Sequence, residues 1–155
     1  MNLKPALLAE LQQLINTEIK PAAAMKFGIT GYDGTRFDLS APKEYNTNHH
    51  GTVFGGSQYA IAAVAGWGVL RCKLDDYDLK GTIVVKQASM QYLRPVTEDF
   101  CIHTEIHPDE DLDAVMQTYR DTGSCNVRIH GLIQNKGKDA AIYDGLYSVK
   151  DLSSR

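Results

Sequence analysis

The stretch "NTNHHGTVFGGSQYAIAAVAGWGVL", Asn46 to Leu70, decides how this sequence is read. A polar loop rich in asparagine and histidine runs through paired glycines into a segment that is apolar on every side. Ser57 to Leu70 carries Ala60, Ile61, Ala62, Ala63, Val64, Ala65, Trp67, Val69 and Leu70. A helix apolar all round must be buried all round. In a chain of 155 residues, only a strongly curved sheet can wrap one helix on most of its sides. Ala62, Ala63, Ala65, Gly66 and Gly68 are small enough to let strands approach closely.

The flanking sequence supplies that sheet. "PALLAELQQLINTEIK" spaces Leu7, Leu8, Leu11, Leu14 and Ile15 as one helix face, giving an amphipathic helix over about 3–20 that ends near Pro21. Asp33-Gly34 marks a turn between two short strands. "GTIVVKQASMQYLRPV" alternates, placing Val84, Ala88, Met90 and Tyr92 on one face, with Lys86 breaking the buried set. "DFCIHTEI" continues the two-residue period. "PDEDLDAVMQTYRDTG" switches to helical spacing, with acids in its first turn and Gly123 at its end. "SCNVRIHGLIQ" and "AAIYDGLYSVK" read as strands joined by "NKGKD". The expectation is a single α+β domain over 1–155, a curved antiparallel sheet wrapped around a buried central helix at about 57–70.

Composition narrows the function. Hydrophobic residues make up 43% and charged residues 23%, ordinary globular values. A net charge of −3 gives no electrostatic footprint for nucleic acid or an anionic membrane surface. The partners expected are small molecules and further copies of the chain. Cys72, Cys101 and Cys125 are too few and too widely spaced for a disulfide framework or a zinc site, so inert buried thiols and no metal are expected. Glu10 and Glu18 interrupt any signal-peptide pattern, and the apolar run is shorter than the ~20 residues that span a bilayer. A cytoplasmic location is expected.

The junction between loop and helix is where chemistry is expected. The first N–H groups of a helix have no intrahelical partner, and the helix dipole makes that end positive. Gly55 and Gly56 carry no side chains to keep a ligand from those groups. The result is a preorganised site for an anion or a carbonyl oxygen at the mouth of an apolar interior, suited to polarising an acyl group. Paired glycines before a helix also serve plain turn geometry. The surrounding amide, imidazoles and threonine of "NHHGTVFGG" favour the functional reading.

"NxxGTxxGG" running into an apolar helix, followed by "MQYLRPV" on a strand, resembles the hotdog-fold thioesterase superfamily. "AP…NTNHHGTVFGGSQYAIAAVAGWG" is similar to the thioesterase domain found at the C-terminus of some bacterial GNAT-type acetyltransferases. The acetyltransferase domain itself is not visible in this sequence. The resemblance covers about Ile19 to Val149. It implies the hotdog fold, a homodimer or dimer of dimers with sites at the subunit interface, and hydrolysis of an acyl-coenzyme A or acyl-carrier thioester without a cofactor. It matches Asn48 to the amide near the thioester and Gly55 to the N–H that polarises the carbonyl, with Gly56 opening the helix behind it. Two departures stand out. Relatives carry His where this chain has Phe54, and an acid where it has Ala63.

With no carboxylate between Asn48 and Leu70, the water-activating group has to be sought elsewhere. His50 and His49 are the first candidates, since imidazole titrates near neutrality; solvated loop histidines are the alternative. Ser57 and Gln58 can hydrogen-bond a water or the acyl carbonyl, with Ser57 serving equally as an ordinary helix cap. Thr52 and Phe54 border the substrate. Tyr59 fits aromatic packing. Asp75, Asp76, Asp78, Glu98 and Asp99 are carboxylates that a partner subunit could supply. Lys86 and Arg94 suit the phosphates of coenzyme A or of a carrier. A hotdog module that binds an acyl ligand without cleaving it is the second reading. A hydratase is disfavoured by the missing carboxylate.

Overall fold

In a computed structural model that describes residues 3–153, a long central helix lies against a six-stranded antiparallel sheet. In chain order the elements are α1 (Pro5–Thr17), α2 (Lys20–Ala24), β1 (Gly28–Tyr32), β2 (Phe37–Ala41), a 3-10 turn (Lys43–Tyr45), α3 (Gly55–Asp76), β3 (Thr82–Tyr92), β4 (Phe100–Ile106), α4 (Leu112–Thr122), β5 (Ser124–Asn135) and β6 (Lys138–Lys150). The strand order is β1-β2-β4-β5-β6-β3, every pair antiparallel. This curved sheet with its central helix is the hotdog architecture that the loop-helix stretch implied.

The sheet closes on α3 because α3 is small where strands cross it. Gly66 faces the Tyr147 hydroxyl of β6, and Gly68 faces the Phe37 ring of β2, 2.5 Å from where a Cβ would stand. Just before them, the Ala65 carbonyl accepts from the Thr104 hydroxyl of β4 at 3.3 Å. That hydroxyl is fully buried and also reaches the Phe37 carbonyl at 3.0 Å. The inward residues Phe100, Ile102 and Thr104 of β4, Val127, Ile129 and Ile133 of β5, and Tyr143, Tyr147 and Val149 of β6 complete the core.

The remaining helices follow their end signals. Asp111 caps α4 through Ala114 N–H at 3.2 Å, and Gly123 ends it in the left-handed region at φ 75°. β5 and β6 extend into "NKGKD" further than the sequence suggested, leaving a two-residue turn of Lys136 and Gly137, both at positive φ. Such turns match the twist of the strands they join.

Four expectations need correction. Pro21 does not end the helical region; it sits in the first turn of α2, where its missing N–H costs nothing. α3 begins two residues before 57 and runs past 70 to Asp76. There Lys4 pairs with Asp75 and Asp76, and Lys73 with Asp76. α3 is also not buried on every side: Tyr59, Ala60, Ala63, Val64 and Trp67 form a half-buried stripe. Finally, a bulge in β3 between Val85 and Gln87 shifts the alternation, so that Lys86 is absorbed there. Val85 pairs with buried Tyr147, whereas Val84 pairs with Ser148 on the opposite face, apart from Ala88, Met90 and Tyr92. Cys72 and Cys125 are buried as expected, while Cys101 is half-buried. No helix among the described residues is long and apolar enough to cross a membrane.

Because the Phe37 ring is fully buried and cannot swing aside, Gly68→Ala overpacks the α3–β2 contact. The substitution is expected to destabilise the protein by about 1–3 kcal/mol. Urea denaturation should show a lower midpoint at unchanged slope.

Candidate functional site

The site is built where the loop 46–54 meets α3. Asn46 anchors the loop by donating its Nδ2 to the carbonyls of Met25 (2.9 Å) and Pro42 (2.8 Å). The Phe54 N–H donates to Asn46 O at 2.7 Å, and the Val53 N–H to Val96 O at 2.9 Å. At the other side, Ser57 N–H and Gln58 N–H both donate to Phe54 O, at 3.0 and 3.2 Å. Every amide around the helix start is thus spoken for except two. The N–H groups of Gly55 and Gly56 find no acceptor among the described residues.

No side chain caps this end. Phe54 is the N-cap residue and has no oxygen to offer, and Ser57 makes no capping bond. Ser57 is buried inside the first turn, so the reading of it as an ordinary cap is corrected. An N-cap Ser, Thr, Asp or Asn typically stabilises a helix by ~1 kcal/mol. Here that stabilisation is absent at the longest helix of the protein, and the positive end of its dipole stays open.

Aromatic rings wall the two free amides. The Phe54 ring lies so close over Gly56 that any side chain there would collide with it. The Tyr92 ring lies 3.4 Å from where a Gly55 Cβ would stand, and its hydroxyl donates to Gly55 O at 2.8 Å. Phe54, Tyr92 and the neighbouring Leu93 are each about half exposed, at 54, 51 and 50%. Together they form an apolar rim, continued along α3 by the half-buried stripe. Tyr92 was read from the sequence as a member of a strand face. Only its contact with Gly55, 37 positions away, reveals it as part of the site.

The polar candidates are placed unequally. Asn48 organises the loop: its Oδ1 accepts from His50 N–H (2.9 Å), Thr52 N–H (3.2 Å) and Thr52 Oγ1 (3.2 Å). The loop's backbone closes the same turn, with Asn48 N–H donating to Thr52 O at 2.8 Å. Asn48 and Thr52 are therefore bound to one another within this chain. His49 and His50 are exposed, with ring centroids 3.8 Å apart. Gln58 is buried, its Nε2 donating to Val53 O at 3.3 Å. Arg94 follows directly on Tyr92 and Leu93. Lys86 sits at the bulge, about 20 Å along β3 from Tyr92 at ~3.3 Å per residue.

Four of the acidic candidates are committed to structure within this chain, while Asp78 follows α3 in the left-handed region at φ 54°. Asp75 and Asp76 lie at the far end of α3, about 30 Å from Gly55 at 1.5 Å per residue, paired with Lys4. Glu98 accepts from Lys136 N–H and Asp99 from Lys43 N–H, each fastening a turn. Tyr59 packs edge-on against Tyr143 with centroids 5.9 Å apart, in line with its aromatic reading. At Ala63 the backbone carbonyl accepts from Tyr147 Oη at 2.8 Å, and Tyr143 and Tyr147 hydroxyls meet at 2.9 Å. Burial pushes both phenols well above their ordinary pKa. No group of His, Cys, Asp and Glu among the described residues has a metal-holding arrangement.

Open clefts lie elsewhere. One of about 840 Å³ is lined by Asp78, Gly81, Tyr119, Arg120 and Asp151, and one of about 400 Å³ by Gln87, His107, Arg128 and Asp144. Gly55 and Gly56 line neither; they open on the face that carries the half-buried stripe of α3 and the β3 edge.

Comparison with known proteins agrees with this fold. The family described as "Putative thioesterase (yiiD_Cterm)" matches residues 8–151. A protein of unknown function from Chlorobaculum tepidum superposes with a TM-score of 0.87 at 25% identity, covering 94% of each chain. A "putative thioesterase" from Shewanella oneidensis superposes with a TM-score of 0.84 at 28% identity, over 94% of this chain and 99% of that one. A thioesterase from Haemophilus influenzae shares the fold, with a TM-score of 0.70 at 18% identity over 94% and 92% of the two chains.

Burial, and next to it the charge of Asp76, pushes the Cys72 thiol up to about 12. Burial also raises the pKa of Cys101 and Cys125. At pH 8 a disulfide reagent such as DTNB should leave Cys72 unmodified in the native protein, and all three thiols should react once urea unfolds it.

Proposed function

The chain belongs to this thioesterase family of the hotdog superfamily, and on that footing we propose that it hydrolyses an acyl-coenzyme A or acyl-carrier thioester by direct attack of water. The observation that carries the reading is the pair of unpartnered N–H groups on Gly55 and Gly56 at the uncapped start of α3. The acyl oxygen sits on these donors, and the charge that develops on it in the transition state strengthens both bonds. A donor of this kind is typically worth about 3 kcal/mol. The apolar rim of Phe54, Tyr92 and Leu93, with the α3 stripe, keeps the reacting carbonyl out of bulk water. Arg94 beside that rim binds a phosphate of the thiol carrier. Asn48 and Thr52 hold the loop that carries His50. The His50 imidazole makes no hydrogen bond among the described residues, which leaves it open to take the proton of the attacking water.

The site is completed by a second copy. β3 is an edge strand of 11 residues with Val84 and Val85 about half exposed, and edge strands of this length present a row of unpaired amides and carbonyls. Pairing two β3 edges continues the sheet, covers the α3 stripe and encloses the acyl group between subunits. A dimer of dimers extends the same scheme.

One observation favours a second reading, an acyl-binding module without turnover. No carboxylate lies between Asn48 and Leu70, and Ala63 offers the site no acid–base group. A panel of acyl-coenzyme A substrates with detection of the released thiol separates the two, since binding without release supports the module.

Gly55→Pro tests the oxyanion site directly. Phe54, at φ −58° and ψ 133°, already has the backbone that precedes proline, and the first helical position accepts proline well. The variant deletes one N–H and little else, so kcat/KM should fall about 100- to 1,000-fold with melting temperature nearly unchanged. Equilibrium sedimentation should show a dimer. Val84→Lys combined with Val85→Lys should shift it to monomer and abolish turnover.

A further inference from the structure

We propose that Gln58 holds the attacking water. The proposal rests on the hydrolytic reading above and names the residue that orients its nucleophile. Gln58 lies in the first turn of α3 and is only 4% exposed. Its Nε2 donates to Val53 O, which fixes the orientation of the amide: a carbonyl accepts only from the N–H end, so Oε1 is the atom turned away. Oε1 is buried and has no hydrogen-bond partner among the described residues. Buried acceptors in folded proteins are almost always satisfied, so an unsatisfied one points to a donor that arrives from outside the chain.

The location of this atom is specific. Only one other buried side-chain atom among the described residues lacks a partner, Asn46 Oδ1. Asn46 accepts from Phe54 N–H and Gln58 donates to Val53, so both orphan acceptors belong to residues that grip the two positions immediately before Gly55. The first turn of α3 therefore carries two kinds of unpaired group. The Gly55 and Gly56 amides are donors, matched to an acyl oxygen. Gln58 Oε1 is an acceptor, matched to a proton. The reacting part of a thioester has no proton to give, whereas water has two.

In the step this implies, the water oxygen forms a bond to the acyl carbon while the carbonyl π pair moves onto the oxygen held by Gly55 and Gly56. Gln58 accepts one O–H of the water and takes no proton, so it fixes direction only. The other proton passes through His50 to the sulfur as the C–S bond breaks and its electron pair leaves with sulfur. The products are the free thiol and the carboxylic acid, which ionises to solvent.

Gln58→Met and Gln58→Glu test the assignment, with acetyl-, hexanoyl- and benzoyl-coenzyme A as probes. Removing the acceptor at matched volume should lower kcat about 10- to 100-fold, the cost of a misplaced nucleophile, with KM changed less than twofold. Gln58→Glu restores an acceptor. It should recover kcat to within about threefold at low pH, where the desolvated carboxyl stays protonated, donates to Val53 O and keeps an acceptor for the water, and lose it as the carboxyl ionises and can no longer donate to Val53 O. Wild-type protein should lack that alkaline limb and show only the acid limb that protonation of the His50 base imposes, and a merely structural glutamine would add none to kcat. A melting curve establishes that each variant is folded. Unchanged kcat in folded Gln58→Met overturns the proposal while leaving the hydrolase reading intact. Failure of the wild type to release thiol from any probe overturns the hydrolase reading. The attacking-water role of Gln58 falls with it; where thiol is released, a crystal structure with coenzyme A should show an ordered water on Oε1, and a pantetheine amide there, or nothing, overturns the assignment of Gln58.

Discussion

The fold depends on close approach between a sheet and a helix at the points where that helix carries little or no side chain. Gly66, Gly68 and Ala65 bring α3 against Tyr147, Phe37 and Thr104 from three different strands. A larger residue at any of these points would push a strand outward and open the sheet. Curvature of the sheet and smallness of the helix are two statements of one constraint. The buried hydroxyls follow from it. At such distances Thr104 and Tyr147 reach backbone carbonyls of α3, so polar groups deep in the core are satisfied by the helix itself.

The same packing explains how the start of α3 can remain uncapped. A helix with no capping side chain loses roughly 1 kcal/mol and is prone to fray. Here the first turn is held from outside, by Tyr92 on Gly55 O and by the Asn46 and Val96 carbonyls on the two preceding amides. The loop 46–52 is a self-contained turn knotted by Asn48 and Thr52. Order at this end of the helix comes from its surroundings, which leaves Gly55 and Gly56 free to bind. Stability given up at one point and recovered in its neighbourhood is the usual signature of a functional site.

Much of this was legible in the sequence because it was local or compositional. The apolar run with small residues announced a wrapped helix, Asp33-Gly34 its hairpin, and the acids and Gly123 the ends of α4. The start of α3 was legible to within two residues from the paired glycines Gly55 and Gly56. What escaped was set by contacts between distant residues. The bulge at Lys86 inverts the face of Val84 and answers to the register with β6, which no periodicity within β3 records. Asn48 looked like a hand extended to substrate, yet its amide is occupied by Thr52 and His50, a preference of short loops for closing on themselves. Tyr92 entered the site only through tertiary contact. The half-buried stripe on α3 escaped for a different reason: an all-apolar helix does not say whether its cover comes from its own chain or another.

The position of β6 in the sheet carries a consequence for how the molecule is made. β6 lies between β5 and β3, so β3 has no partner until β6 exists, although β3 follows α3 directly in the chain. A ribosome delivers the greasiest helix and an unpaired strand well before it delivers Lys138–Lys150. The tight Lys136-Gly137 turn then lets β6 zip quickly onto β5, and β3 docks last through pairings of long sequence separation. Throughout that interval the nascent chain exposes an adhesive surface, and its safe passage is a matter for chaperones and for speed of synthesis.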